Sequence, residues 1–207
     1  MATPPRKRFI ALAGNIGAGK TELTGFLGRR YGVKPVFEPN DANPYLADFY
    51  RDMKAHAFQS QVWFLAHKVR LHLAIQGEPG TVVQDRTIYE DAEIFAESLY
   101  RRGFLSERDH ATYRELYEVS AATLAPPDLL VYLKARVPTL KRRIRKRGRE
   151  SERDLPSRYL ASLNELYDEW IAGYDRSPVL TLETDDLDWL TDLVDRIDVL
   201  SKIERYL

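Results

Sequence analysis

Five short apolar runs separated by long amphipathic stretches predict an α/β fold, a doubly wound five-stranded parallel sheet with helices on both faces. A glycine-rich segment ending in Lys-Thr, GNIGAGKT, directly follows the first run and marks the ligand edge of that sheet. Punctuation supplies a third observation: four of the five runs end in Gly, Asp or Glu, and Pro126-Pro127 stands before the fourth.

The first strand is expected over 8–14, RFIALAG, followed at once by the turn into a helix. KPVFE (34–38) is the second and the poorest in aliphatic residues. GTVVQD (80–85), DLLVYL (128–133) and PVLTLE (178–183) complete the set. Between them, AFQSQVWFLAHKVRLHLAIQG (57–77) has Phe58, Val62, Leu65 and Val69 at helical spacing on one face. EDAEIFAESLYRRG (90–103) reads as another helix, with Gly103 as its C-terminal cap. Tyr159, Leu163, Leu166, Tyr167 and Trp170 form a helical stripe that belongs in the core. No repeat or linker interrupts the chain, so a single domain over 1–207 is expected, with 1–7 a short disordered leader.

Bulk properties narrow the function. The 207 residues carry 31 Lys plus Arg against 31 Asp plus Glu, so no global field favours nucleic acid or an anionic membrane as partner. Cysteine is absent, which removes disulfides and thiolate metal sites and fits a cytoplasmic protein. No apolar run approaches the length of a spanning helix.

Gly14-Asn15-Ile16-Gly17-Ala18-Gly19-Lys20-Thr21 matches the P-loop pattern G-x-x-x-x-G-K-[ST] between a strand and a helix. Glycines let backbone N–H groups close around phosphates, and the helix N-terminus adds positive potential. Lys20 is placed to reach the β- and γ-phosphates of ATP and Thr21 to coordinate Mg²⁺. The chain contains neither N-K-x-D nor D-x-x-G, and its third run ends TVVQDRTIYED rather than in an apolar strand followed by Asp-Glu. A small-molecule kinase is therefore favoured over a GTPase switch or a motor.

Such a kinase needs a destination for the acceptor's proton and cations around the moving phosphoryl group. Glu38 closes the second run and Asp85-Arg86 the third, at the sheet edge that carries the phosphate loop. A carboxylate at position 85 can hold Mg²⁺ through water, and an arginine at 86 can reach the acceptor oxygen.

GNIGAGKT, the Glu-Pro after the second run, DRTIYEDAEIFA and RKRGRESE together resemble the deoxynucleoside kinase family, particularly bacterial deoxyadenosine/deoxyguanosine kinases, over about 9–183. The resemblance implies that Glu38 is the general base for the sugar 5′-hydroxyl, Arg86 its bridge to that oxygen, and Asp85 an acid that helps hold Mg²⁺. It implies that Gln61 and Asp91 read the base, that Phe95 stacks on it, and that Tyr50 and Glu152 meet the 3′-hydroxyl. A homodimer is also implied, and Asp185 and Asp186 fall where relatives bind the donor adenine.

Three departures stand out. Lys68, expected among the substrate-binding residues, stands where relatives that prefer purines or cytidine commonly pair an arginine with the aspartate, and it brings a point charge to the base instead of a planar fork. Phe64 is larger than usual, which narrows the base pocket. No tryptophan follows Glu38-Pro39, and NDANPYL (40–46) is closer to the bacterial pattern.

Seven of the nine residues over 141–149 are basic, and the kinase context turns this run into an arginine-rich lid over ATP, about 143–155. Arg143 and Arg147 share a helix face and converge with Arg149 on the phosphates. The function expected is transfer of the γ-phosphoryl group of ATP to a deoxynucleoside 5′-hydroxyl, deoxyadenosine or deoxyguanosine favoured and deoxycytidine possible. The alternatives are a nucleoside monophosphate kinase or the nucleotide-binding subunit of a hetero-oligomeric kinase.

Overall fold

The structure, a computed structural model, describes residues 7–39, 42–186, 193–204 and 206. Residues 1–6 of the expected leader and the first two of NDANPYL lie outside the described residues.

The strands are β1 (Phe9–Ala13), β2 (Lys34–Val36), β3 (Val82–Asp85), β4 (Leu129–Lys134) and β5 (Val179–Glu183). They form one parallel sheet in the order β2-β3-β1-β4-β5. The doubly wound five-stranded sheet read from the sequence is thus the observed one. Burial follows position: β1 and β3 are buried throughout and β4 nearly so, whereas the edge strands β2 and β5 are largely exposed or half-buried. Central strands covered by helices on both faces need continuous aliphatic runs, and FIALA and LLVYL supply them. Pro35 costs little at β2, since that strand pairs only with β3. The second strand ends at Val36, so Glu38 stands in the following loop rather than in the strand.

The helices are α1 (Lys20–Tyr31), α2 (Leu46–Arg51), α3 (Met53–Gly77), α4 (Ile88–Glu90), α5 (Glu97–Arg101), α6 (Glu107–Ala121), α7 (Val137–Arg147), α8 (Ser157–Ala172) and α9 (Leu193–Glu204). Helix α3 begins four residues before the apolar pattern because Asp52 caps it, its side chain accepting from the Ala55 N–H at 3.1 Å. Leu65 is buried in a helical subcore against which Phe58, Val62 and Val69 pack. Between α4 and α5 the chain forms a π-helical stretch, Asp91–Ala96, that no sequence period announced. Gly103 (φ 72) follows α5 in the left-handed region and closes it as expected. The α8 stripe is core: Tyr159, Leu163, Leu166 and Tyr167 are buried and Trp170 packs against them.

Candidate active site

The carboxyl ends of β1 and β3 open into a cleft of about 710 Å³, part of it continuous with solvent. Ile16, Gly17, Lys20 and Thr21 form its floor, α2 and α3 contribute Tyr50, Gln61 and Phe64, and the lid contributes Arg147, Arg149 and Glu152. Glu38, Asp85, Arg86, Asp91 and Phe95 complete the wall.

Segment 14–21 is shaped by its glycines. Gly14 (φ 148) and Gly17 (φ 83) occupy backbone space hostile to side chains, and a Cβ at Gly17 would stand 2.9 Å from the Leu140 carbonyl oxygen. The loop therefore packs directly on α7, and Gly19 (φ 99) turns it into the N-terminus of α1. Asn15 anchors it from the other side, its Nδ2 donating to Leu160 O at 2.9 Å and Asn164 Oδ1 at 2.7 Å. Lys20 Nζ donates to Gly14 O at 2.7 Å and Asn15 O at 3.1 Å. Burial, with the Arg86 charge behind it, lowers the Lys20 pKa to about 8.

Thr21 Oγ1 donates to Asp85 Oδ2 at 2.6 Å, so the two residues expected at a metal lie side by side. The other oxygen, Asp85 Oδ1, is buried without a partner among the described residues. A hard divalent cation takes such a hydroxyl and carboxylate pair at the mouth of a phosphate loop, so these residues fit Mg²⁺.

Next to this pair the ionic groups converge. Arg86 Nη1 donates to Glu38 Oε1 at 3.1 Å and Oε2 at 2.9 Å, and Lys68 Nζ donates to Oε1 at 2.9 Å. Lys68 also donates to Asp91 Oδ1 at 2.6 Å. Burial alone would raise the Glu38 pKa, but Arg86, Lys68 and Lys20 outweigh it and hold the carboxyl well below the usual range. Asp91 is pushed up to about 6, chiefly by burial and partly by the Glu38 charge, against the pull of Lys68. For Lys68 the two carboxylates outweigh burial and raise the pKa.

Arg86 is the one non-glycine residue with positive φ among those described, at 60°. Conformations of this kind cost on the order of 1 kcal/mol and persist only where surroundings hold them. Here the Arg86 N–H donates to Leu12 O at 3.1 Å, Nη2 to Gly14 O at 3.3 Å, and the guanidinium carbon lies 4.4 Å from the centre of the Phe95 ring.

Two functional neighbours escaped the sequence reading. Glu90 is fully buried and accepts from the Gly14 N–H at 3.2 Å and the Thr87 N–H at 3.2 Å. The Tyr167 hydroxyl, read only as core, lies 2.7 Å from Glu90 Oε1 and 2.8 Å from Gly14 O. Burial raises the Glu90 pKa, partly opposed by Arg86 and Lys20. The Thr87-x-x-Glu90 spacing is a capping box, and that signal was available in the sequence.

The expected site residues do not all reach the cleft. Lys68 is fully buried behind it, its ammonium occupied by Glu38 and Asp91, so it offers no surface to a base. Arg143 donates to Ala18 O at 3.2 Å and to the hydroxyl and carbonyl of Thr184, joining α7 to the phosphate loop and to the end of β5. Asp185 accepts from the Arg136 N–H at 2.9 Å and from Arg136 Nε at 3.0 Å, holding the start of α7. Asp186 is exposed beside it. Within the lid, Arg147 pairs with Glu152, and Arg149 Nη1 lies 3.4 Å from Glu152 Oε1. Arg142, Arg145 and Lys146 are exposed, as a solvated helix face requires.

The arrangement can hold a polyphosphate on the loop, take a proton at Glu38, and seat a flat ring between Phe64, Phe95, Gln61 and Asp91. Comparison with known proteins points the same way. A family model described as deoxynucleoside kinase matches residues 10–207. The chain is 38% identical over 190 residues to the deoxyadenosine/deoxycytidine kinase of Bacillus subtilis, covering 91% of this chain and 88% of that protein. It is 36% identical over 203 residues to the deoxyguanosine kinase of Lactobacillus johnsonii, covering 94% and 90%. The solved structure of deoxyadenosine kinase from M. mycoides with bound dATP superposes with a TM-score of 0.81 at 26% identity, covering 96% of this chain and 99% of that one.

Proposed function

Because the chain belongs to the deoxynucleoside kinase family, we propose that it transfers the γ-phosphoryl group of ATP to the 5′-hydroxyl of a deoxynucleoside, giving the 5′-monophosphate. The observation that carries this reading is the position of Glu38. One carboxylate, pinned by Arg86 at 2.9 Å, stands in one cleft with the phosphate-loop Lys20 and with the ring-sized pocket of Gln61, Asp91 and Phe95.

In this reading Glu38 accepts the 5′-hydroxyl proton as the oxygen attacks phosphorus, and Arg86 orients both the carboxylate and that oxygen. Lys20 leaves its own loop carbonyls for the β- and γ-phosphates, and the backbone N–H groups of 14–21 surround them. Arg147 and Arg149 supply the lid's positive charge to the transferred group, while Arg143 ties that helix to the loop. Thr21 and Asp85 would hold Mg²⁺, which would supply positive charge to neutralise phosphate oxygens. Tyr50 and Glu152 line the sugar end and take the 3′-hydroxyl.

Base selection follows from what faces the cleft. Gln61 presents one acceptor and two donors, and the Asp91 oxygen not held by Lys68, Oδ2, is buried without a partner among the described residues. A lone acceptor beside an amide matches an exocyclic amine flanked by a ring nitrogen, which adenine and cytosine both present, so deoxyadenosine and deoxycytidine fit, deoxyguanosine fits through its own exocyclic amine, and thymidine is excluded. The proposal includes a cytoplasmic enzyme and a homodimer. Exposed Leu73 on α3 and exposed Leu116 and Val119 on α6, two helices that pack together, are apolar side chains such an interface would cover.

The test is ADP release with Mg-ATP and each of the four deoxynucleosides, with dAMP as control. Turnover of deoxyadenosine and not of dAMP is expected. Absence of turnover with all four at saturating concentrations overturns the reading, and turnover of dAMP alone replaces it with a nucleoside monophosphate kinase.

A further inference from the structure

Lys68 has no surface in the cleft, yet its ammonium touches the two carboxylates on which the proposed reaction depends. Its side chain is 0% exposed, and one Nζ lies 2.9 Å from Glu38 Oε1 and 2.6 Å from Asp91 Oδ1. Those carboxylates come from different parts of the fold, the loop after β2 and the π-helical stretch after α4. Resting on the kinase reading above, we propose that Lys68 is a positioning residue for catalysis, a single buried charge that sets the proton-accepting Glu38 and the base-reading Asp91 relative to each other, rather than a residue that reads the base itself.

The geometry supports this in three ways. First, Glu38 has two cationic anchors of different kinds. Arg86 grips both oxygens from the cleft side, whereas Lys68 takes only Oε1 from behind and so fixes the plane of the carboxylate. Losing the Lys68 contact removes the hold on Oε1 from that side and shifts the lone pair that receives the proton.

Second, Asp91 has one oxygen on Lys68 and the other, Oδ2, left over. Lys68 thereby decides which Asp91 oxygen meets the nucleobase. Third, the ammonium cannot wander. It lies 5.5 Å from the centre of the Phe64 ring, and Phe64 itself lines the cleft wall in front of it. The larger residue at 64 therefore screens Lys68 from the base instead of opening a path to it. Among the described residues, Arg86, Lys20 and Glu90 also act on this cluster, with the Tyr50 hydroxyl near Glu38 and the Tyr113 hydroxyl near Asp91.

A long flexible lysine satisfies two carboxylates with one nitrogen, and Gln61, Phe64 and Lys68 at i, i+3 and i+7 share one α3 face, so base-reading groups and their anchor move as one rigid helix. The consequence is that the two tasks share an anchor but report through different kinetic constants. Disturbing Glu38 affects the chemical step whatever the base, and disturbing Asp91 affects nucleoside binding.

The experiment is a pair of double-variant series on the full chain, with deoxyadenosine and Mg-ATP. Lys68→Met is expected to lower kcat by about 10–100-fold, the size of effect that small misplacement of a catalytic group produces, and to raise the deoxyadenosine KM. In the Glu38→Gln background the kcat effect of Lys68→Met should shrink to about twofold, because the residue acts through a group already disabled. In the Asp91→Asn background the KM effect should shrink instead while the kcat effect persists. Lys68→Gln, which keeps a donor of similar reach, replaces Lys68→Met if that variant does not fold.

A kcat loss that survives undiminished in the Glu38→Gln background, or a Lys68 variant that alters KM alone, overturns the positioning role. Failure of the kinase reading would look different: the unaltered chain itself would turn over no deoxynucleoside.

Discussion

Replacing Glu38 by glutamine keeps the shape of the side chain and removes its charge, and the contacts define what that costs. Arg86 Nη1 donates to both oxygens, at 3.1 and 2.9 Å, and Lys68 donates to Oε1 at 2.9 Å. A carboxamide has one acceptor, so whichever way it turns, its NH₂ group faces a cationic donor. Two charge-assisted hydrogen bonds at the lower end of about 1.5–3 kcal/mol each put the loss of stability near 3 kcal/mol. For a chain of this size each kcal/mol moves Tm by about 2–4 °C, giving a fall of about 6–12 °C in calorimetry. The catalytic effect is separate. Loss of a general base lowers kcat by about 10²–10⁴-fold, read from ADP release well below the lowered Tm. Affinity for ATP, measured near pH 7 where Lys20 keeps its charge, should be nearly unchanged, since Lys20 and Thr21 donate to Gly14, Asn15 and Asp85. A kcat within tenfold of the parent would refute the assignment of Glu38 as proton acceptor, and loss of ATP binding would make it a structural residue of the loop.

Tyr167→Phe removes the hydroxyl lying 2.7 Å from buried Glu90 and 2.8 Å from Gly14 O, at a cost of about 1–3 kcal/mol. Thermal unfolding should show Tm lowered by about 2–12 °C, with a weaker ATP affinity because Gly14 belongs to the phosphate loop; an unchanged Tm would mean the brace carries no weight. Lys20 gives a pH prediction. Its folded pKa is depressed from 10.5 to about 8, so the neutral amine is favoured above that value and the ammonium must be restored when triphosphate binds. Triphosphate binding should therefore take up protons above about pH 8, and affinity should fall by up to about tenfold per unit as pH rises beyond that value. Calorimetric titration in buffers of different ionisation enthalpy measures the uptake, and an affinity flat across this range would show that Lys20 does not meet the phosphates.

Much of this molecule is written locally. The strand runs, the phosphate loop at 14–21 and the basic stretch at 141–149 depend on residue type and short spacing, so they are legible without a fold. The capping box at Thr87 and Glu90 was legible in the same way, although its target, the Gly14 N–H, was not. The sequence likewise carried the reading of a kinase, because the phosphate loop stands without N-K-x-D, D-x-x-G or an apolar strand running into Asp-Glu. What tertiary structure alone decided is which charges meet. Lys68 and Glu38 are 30 residues apart, Glu90 and Tyr167 are 77 apart, and no periodicity links either pair. The π-helical stretch that presents Asp91 and Phe95 to the cleft and the positive φ of Arg86 are likewise held by packing and hydrogen bonds from other segments. Backbone period is a local property, whereas the field around a buried carboxylate is the sum of whatever distant segments fold against it, and at this site that field sets the state of every group proposed to act.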